Sequence, residues 1–137
     1  MEMVKTNLSQ VIPPLLDKLF LDQNFIIKAI YLFGSYASGT ENDHSDIDIA
    51  VLLHNKLSPL IRWEIQSELA NQLNCEVDLV DLLNASTVMQ NEIIQQGVCI
   101  YDPNNVAALF EMQVMSMYQH LNEERADILM AYIGRHS

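Results

Sequence analysis

Along the chain, apolar positions recur first at helical spacing and then at strand spacing. Leu8, Val11, Ile12, Leu15, Leu16 and Leu19 predict an opening helix over 5–21, with its first turn broken or offset by Pro13 and Pro14. A block rich in sheet-favouring side chains follows at 26–33 and stops at Gly34 and Ser35, the punctuation of a strand end. From 46 to 53, Ile47, Ile49, Val51 and Leu53 alternate with Asp46, Asp48, Ala50 and Leu52, a second strand whose beginning carries charge on one face. Helical spacing returns over 58–73 through Leu60, Ile61, Ile65, Leu69 and Leu73, with Ser58 as cap and Pro59 at the first helical position. A third strand is predicted over 76–82, a short helix over 86–96 ended by Gly97, and a brief apolar segment over 98–101. Asp102 and Pro103 then resemble a cap and first-turn proline for a long helical region running toward Ile133.

This mixed order predicts an α/β (α+β) fold, a small sheet with packed helices, rather than a bundle or a sandwich. The 137 residues suffice for one packed core, so the expectation is a single domain over 1–137 with 103–133 as a C-terminal helical extension. Composition alters that picture little, since half the residues are hydrophobic, but charge alters it more. Seven lysines and arginines against eighteen carboxylates leave a formal charge of −11, which removes the electrostatic basis for a groove tracking DNA or long RNA and favours a basic protein partner. No charged leader precedes an apolar run, and the block at 49–53 is too short to span a bilayer, so a cytoplasmic protein without membrane association is expected. Cys75 and Cys99 are isolated from each other and from histidine clusters and are read as structural rather than as a thiolate metal site.

The chemistry concentrates in residues 34–48, GSYASGTENDHSDID. Strand geometry points Asp46 and Asp48, two residues apart, to the same side, where they can share a magnesium ion. Magnesium prefers hard oxygen ligands, and two carboxylates with phosphate oxygens and waters complete its octahedral shell. Upstream, Gly34 permits close backbone approach to a phosphate, Ser35 can donate to a phosphate oxygen, and Gly39 relaxes the following loop. A helix is expected from Tyr36 onward. A DxD pair alone is a common feature of solvated strand edges; its combination with an upstream GS turn after an apolar strand is far more specific.

Those residues, Gly34 and Ser35 followed by ten positions and then Asp46, Ile47 and Asp48, resemble the motif of the DNA polymerase beta-like nucleotidyltransferase superfamily. The resemblance spans roughly residues 26–82 and implies a third acidic residue on a later strand, which Asp78 supplies within CEVDLVDL. In that reading Asp46, Asp48 and Asp78 hold Mg2+, Gly34 and Ser35 contact the nucleotide, and Asp78 also activates an acceptor hydroxyl. Asp81 is the rival third acid, but an unbulged strand places it on the opposite face, and Glu76 reads as a rim charge. One departure stands out: related proteins often carry arginine where this chain has Ser38, and no lysine or arginine occurs between Lys28 and Lys56. With Glu41 and Asp43 in the loop, triphosphate charge must be neutralised by metal, backbone amides or groups from elsewhere, which favours weak intrinsic activity or activity completed in a complex.

Among members of the superfamily, the short chain and extended terminal helix resemble the minimal nucleotidyltransferases that act as antitoxins beside an all-helical HEPN ribonuclease toxin. The resemblance implies transfer of AMP from ATP to a hydroxyl of the partner toxin, commonly a tyrosine, with release of pyrophosphate. Two alternatives stay open: a small-molecule adenylyltransferase of the aminoglycoside-modifying kind, and a binding-only antitoxin that has lost transfer. Val106, Leu109, Phe110, Val114, Met117 and Leu121 form one expected seam of the terminal helix, and Met112, Met115 and Tyr118 extend its apolar character toward a partner interface. Homo-oligomerisation also stays open, opposed by like charge. Tyr31, Phe33 and Trp63 read as core, Tyr36 as the ligand-facing aromatic, and His44, His54, His120 and His136 as structural or exposed.

Overall fold

The computed structural model describes residues 2–39 and 46–136. Among the described residues, four strands, β1 (Ile27–Phe33), β2 (Ile47–Leu53), β3 (Val77–Asp81) and β4 (Val98–Tyr101), form one sheet in the order β3-β2-β1-β4. β1 is antiparallel to both β2 and β4, whereas β2 and β3 are parallel. The helices of the described residues are α1 (Glu2–Leu21), α2 (Ser35–Ser38), α3 (Pro59–Leu73), α4 (Thr87–Gln96) and α5 (Ala107–His136). None of the described helices is long and apolar enough to cross a membrane.

The period-two alternation read from the sequence sorts the sheet into two faces. Ile30, Leu32, Ile47, Ile49, Val51, Val77 and Leu79 bury one face under α1 and α3. Ala29, Tyr31, Ala50 and Leu52 bury the other with Ile93 and Ile94 of α4 and Ala107 and Val114 of α5. The mixed α/β architecture is therefore as the pattern predicts. α3 starts as expected, with the Ser58 hydroxyl accepting a hydrogen bond from Ile61 N–H at 3.2 Å and Pro59 in the first turn.

Several local expectations give way. α1 runs unbroken through Pro13 and Pro14, because Leu8, Ile12, Leu16 and Phe20, four residues apart, seat one buried stripe whose packing outweighs the lost amide donors. Pro103 is not in the first turn of α5. The Asp102 carboxylate does cap, accepting from Val106 N–H at 2.9 Å and Ala107 N–H at 3.2 Å, but an intervening turn with Asn105 at φ 55° delays the helix to Ala107. Leu60 and Trp63 lie outside the core: Trp63 sits two positions before buried Ile65, nearly opposite it around the helix, and is 58% exposed. On α5 the packing stripe is Ala107, Phe110, Val114, Tyr118 and Leu121, while Leu109 and Met117, expected in the seam, are exposed along with Met112 and Met115.

Candidate active site

The parallel pairing of β2 and β3 sets Asp48 directly opposite Asp78, and the antiparallel pairing of β1 and β2 sets Phe33 opposite Asp48. Alternation turns Asp48 and Asp78 toward the face that holds Ala50 and Val80, on the α4/α5 side, at the end of the sheet where β1 stops. Asp48 is half-buried and Asp78 exposed; Asp46, just before β2, is exposed beside them. Burial pushes the Asp48 carboxyl above the usual range, and the negative charges of Asp78 and Asp46 push it further. The three expected acids are thus neighbours whose mutual repulsion a cation would relieve.

Gly34 closes the site from the β1 end. Its φ of 72° and ψ of −152° fall where side chains are almost never tolerated, and any Cβ would overlap Asp48 Oδ2 and come within 2.9 Å of Asp48 Cγ. The chain turns at once into α2, one residue earlier than expected, with Ser35 its first residue. Gly39 ends that turn at φ 77°, its N–H bonded to the Ser35 carbonyl. Strand end, glycine and helical turn therefore bring backbone against the carboxylate, as the GS motif requires. Glu41, Asp43 and His44 lie outside the described residues.

The donor set fits magnesium, since aspartate oxygens are the hard ligands it selects. Among the described residues, no three His, Cys, Asp or Glu side chains gather closely enough to hold an ion by themselves.

Asp81 has a different duty. It is 4% exposed, accepts from Leu57 N–H at 2.8 Å and Asn84 Nδ2 at 3.1 Å through Oδ2, and accepts from Leu83 N–H at 3.1 Å through Oδ1. Its hydrogen bonds tie the loop before α3 to the turn after β3, on the face away from Asp48, as alternation requires. Tyr36, the expected ligand-facing aromatic, is half-buried and packs against the α1/α3 core. His54 is structural, accepting from Ile26 N–H at 3.3 Å and leaning on Phe25.

Linear reading left out one basic side chain. Arg62 of α3 reaches the free edge of β3, donating weakly to the Leu79 carbonyl, while Gln66 accepts from Leu79 N–H at 2.8 Å. Together with Leu57, Pro59, Asp78 and Asn84 it lines a cavity of about 280 Å³ on the Asp78 flank. No local signal announces this position, because it depends on how α3 lies along the sheet edge.

Comparison with known proteins agrees with this fold. Residues 18–106 match the family model described as polymerase beta, nucleotidyltransferase. The chain is 45% identical over 112 residues to the protein adenylyltransferase MntA of Shewanella oneidensis, covering 82% of this chain and 81% of that protein. It superposes on a chain of a toxin–antitoxin crystal structure with AMP-PNP at a TM-score of 0.74 and 42% identity, covering 88% of this chain and 97% of the other. It also matches a chain of the tri-AMPylated HEPN toxin of Shewanella oneidensis in complex with MNT antitoxin, at a TM-score of 0.73 and 36% identity over 97% of this chain and 99% of that one.

Proposed function

The chain belongs to the polymerase beta nucleotidyltransferase family, and from that premise we propose that it is an antitoxin that transfers AMP from ATP to a hydroxyl, a tyrosine, of a HEPN-type ribonuclease toxin. The observation that carries this reading is the register of β2 and β3, which faces Asp48 with Asp78 while Gly34 packs on Asp48 from β1.

Asp46, Asp48 and Asp78 are the residues that would hold magnesium. When bound, the ion draws charge from the phosphate oxygens and so lowers the barrier to displacement at the α-phosphorus. The Gly34 turn lets main chain approach the phosphates without a side chain intervening, and Ser35 orients them. Asp78, exposed on the flank opposite Gly34, takes the proton from the acceptor hydroxyl as its oxygen bonds to the α-phosphorus and pyrophosphate departs. Asp48, half-buried between the two, fixes the distance between nucleotide and acceptor. Since no lysine or arginine interrupts 29–55, the cation that neutralises the triphosphate comes from outside this segment.

Partner binding is assigned to α5. Beyond Leu121 every side chain described is exposed, including Ile128 at 70%, Leu129 at 58%, Met130 at 68% and Tyr132 at 59%. The stripe that packs Phe110, Val114 and Leu121 continues through Ile128 and Tyr132 after the core has ended, which suits a second protein's helical surface. The −11 charge of the chain favours encounter with a basic partner.

Intact-mass analysis of a co-purifying or genetically adjacent toxin after incubation with the protein, ATP and magnesium tests the proposal. An added AMP on a tyrosine is the expected result. A tight complex with no added mass would instead support a passive antitoxin, and modification of an aminoglycoside with no protein acceptor would support a small-molecule enzyme.

A further inference from the structure

β3 is an edge strand: the order β3-β2-β1-β4 leaves it β2 as its one sheet neighbour among the described residues. That position is awkward for Asp78. The parallel register sets its carboxylate directly opposite Asp48, and like charges facing each other across a strand pair repel. The repulsion pushes a five-residue strand outward where no ladder holds its far side. Both ends of the strand are tied to β2, through Ile47 N–H donating to the Glu76 carbonyl at 2.9 Å and Leu82 N–H donating to the Val51 carbonyl at 3.0 Å. Leu79, midway between them, turns its N–H to the open edge.

α3 supplies the missing side. Gln66 Oε1 accepts from Leu79 N–H at 2.8 Å, and Arg62 Nη1 donates to the Leu79 carbonyl and to the same Gln66 Oε1, each at 3.4 Å. Gln66 and Arg62 stand one helical turn apart and are both half-buried, so one face of α3 engages both main-chain groups of a single residue. The amide has one workable orientation. Turned over, Gln66 would set its NH2 against two donors, Leu79 N–H and Arg62, so Arg62 fixes which atom of Gln66 meets the strand. The Leu79 side chain, 1% exposed in the α1/α3 core, anchors the same residue from within. Leu79 N–H belongs to the planar peptide unit that begins at the Asp78 carbonyl, and holding that plane holds the direction in which Asp78 presents its side chain.

Resting on the AMP transfer proposed above, we infer that Gln66 is a positioning residue for that reaction and that Arg62 orients it: together they keep Asp78 in place at the sheet edge, within reach of the acceptor hydroxyl. Neither touches the reacting atoms. Arg62 and Asp78 line the same cavity of about 280 Å³, which puts the clamp on the flank assigned to the acceptor. A reacting group misplaced by about 1 Å costs on the order of a hundredfold in rate. The Gly34 turn and Asp48 lie on β1 and β2, away from the clamp, so its loss falls on turnover rather than on nucleotide binding. Shielding an exposed edge from another chain is the other use of such a clamp, and it predicts association instead of slower turnover.

Steady-state transfer of AMP from labelled ATP to the proposed HEPN-type toxin, by the full chain and by variants whose folding is checked by circular dichroism, tests the assignment. Gln66→Leu keeps the bulk and loses the acceptor; kcat is expected to fall roughly 10- to 100-fold with KM for ATP near wild type. Gln66→Glu, which keeps an oxygen toward Leu79 N–H and pairs with Arg62, should return kcat close to wild type. Arg62→Met should show a smaller fall than Gln66→Leu. Hydrogen exchange at the Leu79 amide should quicken in Gln66→Leu and stay slow in Gln66→Glu. Wild-type kcat in folded Gln66→Leu would overturn the positioning role, as would equal impairment of the leucine and glutamate variants. Larger species formed by Gln66→Leu with kcat retained would assign the clamp to edge protection and overturn it as well. Should Gln66→Leu fail to fold, Arg62→Met decides, and wild-type kcat there counts against the assignment. Absence of transfer by the wild-type protein would remove the transfer reading itself and this inference with it.

Discussion

Asp81 accepts three hydrogen bonds from the loops on either side of it, whereas Asp48 looks onto Asp78 and Asp46 and has its carboxyl pushed upward by burial and by their charge. Replacing each therefore has a different consequence. Asp81→Ala leaves the Leu57 and Leu83 amides without their acceptor and is expected to lower stability by about 2–4 kcal/mol, read as a drop in the urea midpoint. Asp48→Asn removes a negative ligand at nearly constant shape and relieves repulsion, so stability should hold or rise while Mg-ATP affinity falls by more than about tenfold, since loss of a charged partner costs on the order of 2 kcal/mol. Asp46→Asn should act in the same direction. Calorimetry giving wild-type Mg-ATP affinity for both asparagine variants would remove these residues from the proposed metal site. Gly34→Ala is the backbone counterpart: φ 72° and the overlap with Asp48 both oppose a side chain, and a cost of about 1–3 kcal/mol together with loss of nucleotide binding is expected.

Elements were legible where one local pattern decided them. The alternation over 46–53 gave β2 and its two faces, Ser58 with Pro59 marked the start of α3, and Gly97 marked the end of α4. The spacing of Gly34, Ser35, Asp46 and Asp48 pointed to residues that the fold brings to one end of the sheet, and the face of Asp78 followed from alternation once β3 was placed. What escaped depended on partners distant in sequence. Pro13 and Pro14 look like helix breakers until the buried stripe of α1 is packed, Trp63 looks like core until Ile65 fixes the rotation of α3, and Arg62 acquires a role only beside the edge of β3. On α5 a run of apolar residues on several faces concealed which one meets the sheet. Its exposed second half carries a prediction at this scale: Ile128→Glu with Leu129→Glu should leave the melting temperature near wild type, because surface changes usually stay within about 0.5 kcal/mol, yet weaken the complex with the proposed toxin partner. Met112→Glu with Met115→Glu tests the neighbouring face in the same way. Native folding with undiminished affinity in either pair would exclude that face from the interface.

Across the whole molecule, the sheet order β3-β2-β1-β4 sets the order of the proposed chemistry. The Asp78 flank with Arg62 lies toward β3, the carboxylates lie on β2 and β3, the Gly34 turn closes β1, and a cavity under α4 lies beyond it. In the proposed function, acceptor and nucleotide approach from opposite sides of Asp48, the arrangement an in-line displacement needs. α1 and α3 brace the sheet from behind, and the far half of α5 projects beyond the core, leaving the catalytic edge accessible to a partner held elsewhere.

The most direct test of this account is the rate of AMP transfer from labelled ATP to the proposed HEPN-type toxin by wild type and by Asp78→Asn, with affinity for that partner measured on the same samples. Loss of the proposed general base and metal ligand predicts transfer reduced by about 10²–10⁴-fold with affinity close to wild type. Transfer by Asp78→Asn at the wild-type rate would contradict the account.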